Sequence, residues 1–144
     1  MSVSFCSAYL FDVYSPKEYK KIVARVTKAI RKQKKILKFQ AIAFTGSSGA
    51  ALAYPISFIT KIPLIHVRKG KSHGNSIEGG NHDIERYVIL DDLIDTGATV
   101  KRIFNKIKQE GEVECVGILL YDSCRINTSS FSFNSKVSAP IKRV

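Results

Sequence analysis

Three carboxylates crowd the end of one apolar run: Tyr87-Val88-Ile89-Leu90 leads directly into Asp91-Asp92-Leu93-Ile94-Asp95, and the small residues Thr96-Gly97-Ala98-Thr99 follow. Neighbouring like charges oppose one another's ionisation and need compensating partners, which cations or hydroxyl groups supply. The stretch from Asp95 to Thr99 reads as a turn that opens a helix. Its unpaired backbone N–H groups and the positive end of the helix dipole make an anion site, to which Thr96 and Thr99 add hydroxyl donors. Acceptors for hydroxyls beside donors for a phosphate suit a ribose 5-phosphate. The plainer alternative is a helix cap after a buried strand, with Asp95 or Thr96 capping; capping alone does not call for the Asp91-Asp92 pair.

Two further loops carry residues fit for the same chemistry. Thr45-Gly46-Ser47-Ser48-Gly49 lies between an apolar run and a helical pattern beginning at Ala50, and its glycines let a backbone approach a ligand closely. Arg68-Lys69-Gly70-Lys71-Ser72-His73-Gly74-Asn75-Ser76-Ile77-Glu78-Gly79-Gly80 is a long polar loop with three cations, one histidine and four glycines. Such a loop suits a lid that closes over a polyanion and excludes water, or else a solvated connection. No G-x-x-x-x-G-K-[ST] and no G-x-G-x-x-G is present, which demotes nucleoside triphosphate and dinucleotide sites.

The elements that must position these loops follow from the pattern. Near-continuous apolar runs at Phe39 to Thr45, Pro63 to Arg68, Tyr87 to Leu90 and Cys115 to Tyr121 suit strands of a parallel sheet buried on both faces. Helical patterns at Ala50 to Ile59 and Ala98 to Gln109 alternate with them. Ser15-Pro16 reads as a helix entry with Ser15 capping, and the helix runs to about Lys35 with Ile22, Val26, Ala29 and Ile30 as its buried stripe. The expected fold is α/β, a doubly wound and mainly parallel sheet flanked by helices. Ligands of such sheets sit at the carboxyl ends of the strands, where the three loops lie. Residues 125–144 offer only scattered apolar side chains, Phe131 and Phe133 among them.

At 144 residues and 44% hydrophobic, the chain suits a single domain, residues 1–144. No apolar stretch approaches the roughly 20 residues of a membrane helix, and the start carries no secretory pattern, so a cytoplasmic setting without a membrane partner is expected. Cys6, Cys115 and Cys124 are odd in number and lack metal spacing, which fits reduced structural thiols. His66 and His82 likewise lack paired ligands and read as structural or surface residues. The net charge of +11 is concentrated: Lys17 to Lys38 holds ten basic residues against Glu18 alone, while the remainder holds thirteen against eleven. That segment is either a solvated face or a surface for a polyanion such as nucleic acid.

Leu90 to Thr99 resembles the phosphoribosyl pyrophosphate (PRPP) motif of type I phosphoribosyltransferases over nearly its full length. The resemblance implies transfer of the 5-phosphoribosyl group from PRPP to a nucleobase, with pyrophosphate released, as in nucleotide salvage. It implies that Asp91 and Asp92 hold the ribose hydroxyls, directly or through a metal shell, and that Asp95, Thr96, Gly97, Ala98 and Thr99 wrap the 5-phosphate. It implies Mg²⁺ carried on PRPP near Asp91 and Asp92 as the cofactor. Thr45, Gly46, Ser47 and Ser48 are similar to the family's pyrophosphate loop, with Arg68 contributing.

The lid resembles that of orotate phosphoribosyltransferases, with one residue fewer between Lys69 and Lys71, and adenine enzymes have a comparable stretch. This implies catalytic roles for Arg68, Lys69, Lys71 and His73, and a homodimer, because that loop reaches into a neighbouring subunit. Asp95 is similar to the carboxylate of 6-oxopurine enzymes, implying a role toward a purine ring nitrogen, so the motif favours a purine and the lid orotate or adenine. Tyr121 stands near the place of the base-reading lysine of 6-oxopurine enzymes, as a base contact or a core residue. The hood over the base falls to residues 1–15 or 122–144 and is minimal. Some proteins of this fold are regulators, and the alternative function is a PRPP- or nucleotide-responsive regulator that binds RNA or DNA through the basic helix.

Overall fold

The computed structural model describes residues 10–70, 76–80, 83–122 and 128–144. Along β4 (Arg86–Asp91) the side chains alternate between two cores. Val88 and Leu90 join one cluster with Ile42, Phe44, Leu52 and Ile56, while Tyr87 and Ile89 join the other with Ala43, Ile103, Phe104 and Ile118. Period-two alternation between two dry faces is why the strand reads as an unbroken apolar run.

The first cluster lies under α1 (Pro16–Leu37) and α2 (Gly46–Thr60), the second under α3 (Ala98–Glu110). Val26 and Ile30 are the buried stripe of α1. Ser15 takes the cap position with extended backbone, but its side chain makes no cap hydrogen bond; Pro16 at the first helical position sets the entry instead. A short 3₁₀ turn, Phe11–Val13, precedes the helix.

Pro55 sits inside α2 and has no N–H for the Ala51 carbonyl four residues back. The Tyr19 hydroxyl of α1 donates to that carbonyl. A bond that proline removes from the helix is thereby replaced from its neighbour, and the two helices are tied together.

The seven strands form one sheet in the order β3-β2-β1-β4-β5-β7-β6. β1 (Ala41–Phe44), β2 (Leu64–Val67), β4, β5 (Glu114–Leu120) and β7 (Ser138–Arg143) run parallel, with Ala41 opposite Tyr87 and Ile118 opposite Ile141. The edges β3 (Ile77–Gly79) and β6 (Ser130–Ser132) are antiparallel. The fold is the expected mainly parallel α/β sheet. The chain leaves β1 through α2 to one side and β4 through α3 to the other, so the winding reverses between β1 and β4. Their carboxyl ends flank the crevice where such sheets bind ligands.

Three strands differ from expectation. β3 arises within the polar lid segment, and β6 and β7 within the Ser/Asn-rich tail. Pro140 disguises β7, since proline gives no donor to a ladder. The connection before β7 is closed by Asn134, whose Oδ1 accepts from the amides of Lys136 and Val137, each at 2.9 Å.

Candidate active site

A cleft of about 260 Å³ opens at the winding reversal, lined by Thr45, Ser48, Lys69 and residues 91–100. Asp91 and Asp92 line it although only 5% and 6% exposed. Asp91 Oδ1 accepts from the Ser48 hydroxyl and from the Asp92 amide, both at 2.9 Å, and Asp92 Oδ1 accepts from the Leu93 amide at 2.9 Å. Burial, and then the neighbouring Asp92 carboxyl, hold the Asp91 carboxyl well above the usual aspartate range. A ligand bringing hydroxyls or positive charge relieves that cost.

Beside the acids, α3 starts at Ala98 with Gly97 as its cap, in the left-handed region at φ 82°. Thr96 Oγ1 accepts from the Ala98 amide at 3.3 Å. A Cβ on Gly97 would stand 2.6 Å from the Phe131 ring, so the site has no room for a side chain. Phe131 meets Phe133 edge to face at 5.3 Å, and Phe133 stacks on Phe104 of α3 at 4.1 Å. The tail thus backs the loop that lines the cleft. Asp95, Thr96 and Ala98 are exposed there.

Across the cleft, residues 46–49 are the first turn of α2 rather than a free loop before it. The free amides of a helix N-terminus therefore replace the expected glycine-rich cradle. Thr45, the cap, is 2% exposed, and its Oγ1 has no hydrogen-bond partner among the described residues. Gly46 adopts φ 65°, and Lys69 Nζ lies 2.8 Å from where its Cβ would be, placing an ammonium over the helix start. At Gly49 a Cβ would stand 2.9 Å from Phe44 Cβ and 3.2 Å from the Leu90 carbonyl oxygen, which sets how closely α2 approaches the sheet.

Ser48 joins the two halves. Its hydroxyl donates to Asp91 on β4, and its carbonyl accepts from the Tyr121 hydroxyl at 2.6 Å. Arg25 Nη2 of α1 in turn donates to the Tyr121 carbonyl at 2.8 Å. Tyr121 is 7% exposed and belongs to the core, bracing the α2 turn.

The structure brings Thr45, Ser48, Lys69, Asp91, Asp92, Asp95, Thr96, Gly97, Ala98 and Thr99 to one cleft. Gly46 and Ser47 are in the α2 turn, but neither lines the cleft. Arg68 is not brought there either: its guanidinium pairs with Glu78 on β3, and this partner holds the Glu78 carboxyl below the usual range. His66 Nδ1 lies 3.5 Å from Glu78, and its ring stacks on Phe44 at 4.8 Å, a structural position. Lys71, His73, His82, Cys6 and Cys124 lie outside the described residues. The sequence reading missed Phe131, whose only signal is an aromatic pair at 131 and 133, and Glu78, which stands directly opposite His66 in the β2–β3 register.

Among the described residues no group of three or more His, Cys, Asp or Glu side chains is placed to hold a metal ion. The two carboxylates fit Mg²⁺ in its usual manner, which keeps waters and ligand oxygens and takes one or two protein carboxylates. No described helix is long and apolar enough to cross a membrane.

No family model matches the chain. Among curated proteins it is 31% identical over 126 residues to an orotate phosphoribosyltransferase of Coxiella burnetii, covering 84% of this chain and 59% of that one. An orotate phosphoribosyltransferase of Staphylococcus aureus is 34% identical over 83 residues, covering 56% of this chain and 40% of that one. The chain thus spans less than two thirds of the length of these curated relatives.

Similar solved structures include the following two. UMP synthase of Leishmania donovani matches with TM-score 0.67 at 25% identity, over 91% of this chain and 27% of that chain. Adenine phosphoribosyltransferase of Saccharomyces cerevisiae matches with TM-score 0.67 at 18% identity, over 94% of this chain and 83% of that chain. The chain is thus similar in sequence to orotate phosphoribosyltransferases and in fold to orotate and adenine phosphoribosyltransferases, the type I phosphoribosyltransferases that the acidic end of β4 resembles.

Proposed function

We propose that the protein transfers the 5-phosphoribosyl group of PRPP to a nucleobase and releases pyrophosphate. The observation that carries this reading is the cleft itself, where a buried carboxylate pair lies between two helix N-termini. Asp91 and Asp92 accept from the ribose 2- and 3-hydroxyls. The amides of residues 96–99 and the Thr96 and Thr99 hydroxyls bind the 5-phosphate. The first turn of α2, with the unpartnered Thr45 hydroxyl, binds the pyrophosphate, and Lys69 neutralises it as it leaves. The bond from C1 to the pyrophosphate oxygen breaks as a ring nitrogen of the base bonds to C1, through a sugar with cationic character. The buried carboxylates stabilise that charge without reorganising. Asp91 and Asp92 would hold Mg²⁺, which would supply charge neutralisation for the leaving pyrophosphate.

For the base we favour a purine, because the exposed Asp95 carboxylate at the cleft suits a ring nitrogen that carries a proton. Orotate is the second reading, supported by the activity named for the curated relatives. A homodimer belongs to the same proposal, with the lid, including Lys71 and His73, shared between subunits. Incubation with PRPP, Mg²⁺ and, in turn, hypoxanthine, guanine, xanthine, adenine, orotate and uracil tests it by chromatographic detection of nucleotide. Product with a purine is expected, and Asp91→Asn should abolish it. A blank panel overturns the proposal, and orotate alone as acceptor overturns the purine assignment.

A further inference from the structure

Helix α1 carries Lys17, Lys20, Lys21, Arg25, Lys28, Arg31, Lys32, Lys34, Lys35 and Lys38, all of them exposed, with Glu18 as its one acid. Lys21 pairs with Glu18 at 3.0 Å, Arg25 donates to Tyr121 and Lys34 lies over the Phe39 ring. The other seven side chains have no ion-pair or hydrogen-bond partner among the described residues. Like charges one turn apart destabilise a helix, so this surface opposes its own folding and calls for an external counter-charge.

At about 100° per residue, Lys17, Lys21, Lys28 and Lys35 fall within a sector of about 40° and form a ridge about 27 Å long. The opposite face, through Tyr19, Ile22, Val26, Ile30 and Leu37, is spent on the core. A helix that adsorbs to lipid needs that apolar face free, so an anionic membrane does not fit. A line of cations matches a line of phosphates. Tyr14, 75% exposed and three residues ahead of Lys17, adds an aromatic face of the kind on which an unpaired base stacks.

We propose that α1 binds the phosphate backbone of single-stranded nucleic acid, independently of sequence and of the transferase reading. Fluorescence anisotropy with a labelled 20-nucleotide RNA of mixed sequence tests this on the full chain. Three proteins are compared: the wild type, the triple variant Lys17→Glu, Lys28→Glu, Lys35→Glu, and a control of equal net charge, Lys101→Glu, Lys136→Glu, Lys142→Glu, whose side chains are exposed on other elements. Thermal melting establishes that each is folded.

Wild-type binding should fall steeply with salt. The α1 variant should bind at least ten-fold more weakly, with its log–log salt slope shallower by about 2, as loss of three phosphate contacts on a single strand requires. The control should stay within about three-fold of wild type. Absence of RNA binding, or equal weakening by both triple variants, overturns the proposal. A labelled 20-base-pair duplex bound more tightly than the single strand also overturns it, as do phosphatidylserine vesicles that RNA fails to displace.

Discussion

An edge of the Phe131 ring stands against Gly97, so β6 closes the back of the loop at residues 96–99 that lines the cleft. Gly97→Ala meets two objections at once, a left-handed backbone and a ring 2.6 Å from the new methyl. It should destabilise the fold by about 2 kcal/mol or more and raise the KM for PRPP at least ten-fold. Phe131→Ala leaves the glycine free and removes its backing. It should cost about 1–2 kcal/mol, since the ring is half-buried, and raise the same KM with less effect on kcat, while Phe131→Leu recovers most of both. Melting curves and steady-state kinetics check each outcome.

Tyr121→Phe keeps the ring in the core and removes the hydroxyl that holds the Ser48 carbonyl. Loss of this bond should lower stability by about 1 kcal/mol and weaken pyrophosphate binding several-fold by loosening the first turn of α2. The order of preference among bases should not change. A changed order would mean that Tyr121 contacts the base after all.

Asp91→Asn separates stability from function. The folded protein holds the Asp91 proton more tightly than the unfolded chain does, because burial and Asp92 disfavour the ionised form. Stability therefore falls as pH rises out of the ordinary aspartate range toward the raised value. The variant keeps an acceptor for Ser48 but never ionises, so without ligand at pH 8 it should melt roughly 3 °C or more above wild type, the gap closing near pH 4. Its transferase activity should fall at least 100-fold. A variant less stable than wild type at pH 8 would contradict this account.

Cys115 should resist alkylation by iodoacetamide at pH 8 in the folded protein and react once unfolded. Burial pushes its thiol up to about 12, leaving almost no thiolate at that pH. Mass spectrometry of the peptide spanning residue 115, before and after denaturant, distinguishes the states.

The central strands were legible because each is buried on both faces and reads as a bare apolar run; the site was legible because aspartates at the end of such a run have few structural excuses. β6 and β7 were hidden for the opposite reason. Their residues, Ser130, Ser132 and Pro140 among them, have poor intrinsic strand preference; β7 is held by Ile118 to Leu120, distant in sequence, and β6 in turn pairs with β7. Contacts between separate elements left no local trace either. Nothing near Tyr121 announces Ser48, and nothing near Arg68 announces that Glu78 will draw its guanidinium away from the cleft. The start of α2 was placed at Ala50 because Gly46 and Gly49 are poor helix formers, yet the helix begins at Gly46, which takes a positive φ, and at Gly49 a side chain would meet Phe44 and the Leu90 carbonyl.

The proline within α2 gives Tyr19 a significance beyond its own neighbourhood. With the Ala51 oxygen deprived of an internal donor, the phenol of the cationic helix bonds only a few residues from the first turn of α2 beside the cleft. Shifting that helix by a fraction of a turn would orphan an acceptor at the very root of the anion cradle. The lysine-bearing helix and the cleft are therefore not separable modules, and grafting either one alone onto another sheet would forfeit the other's geometry.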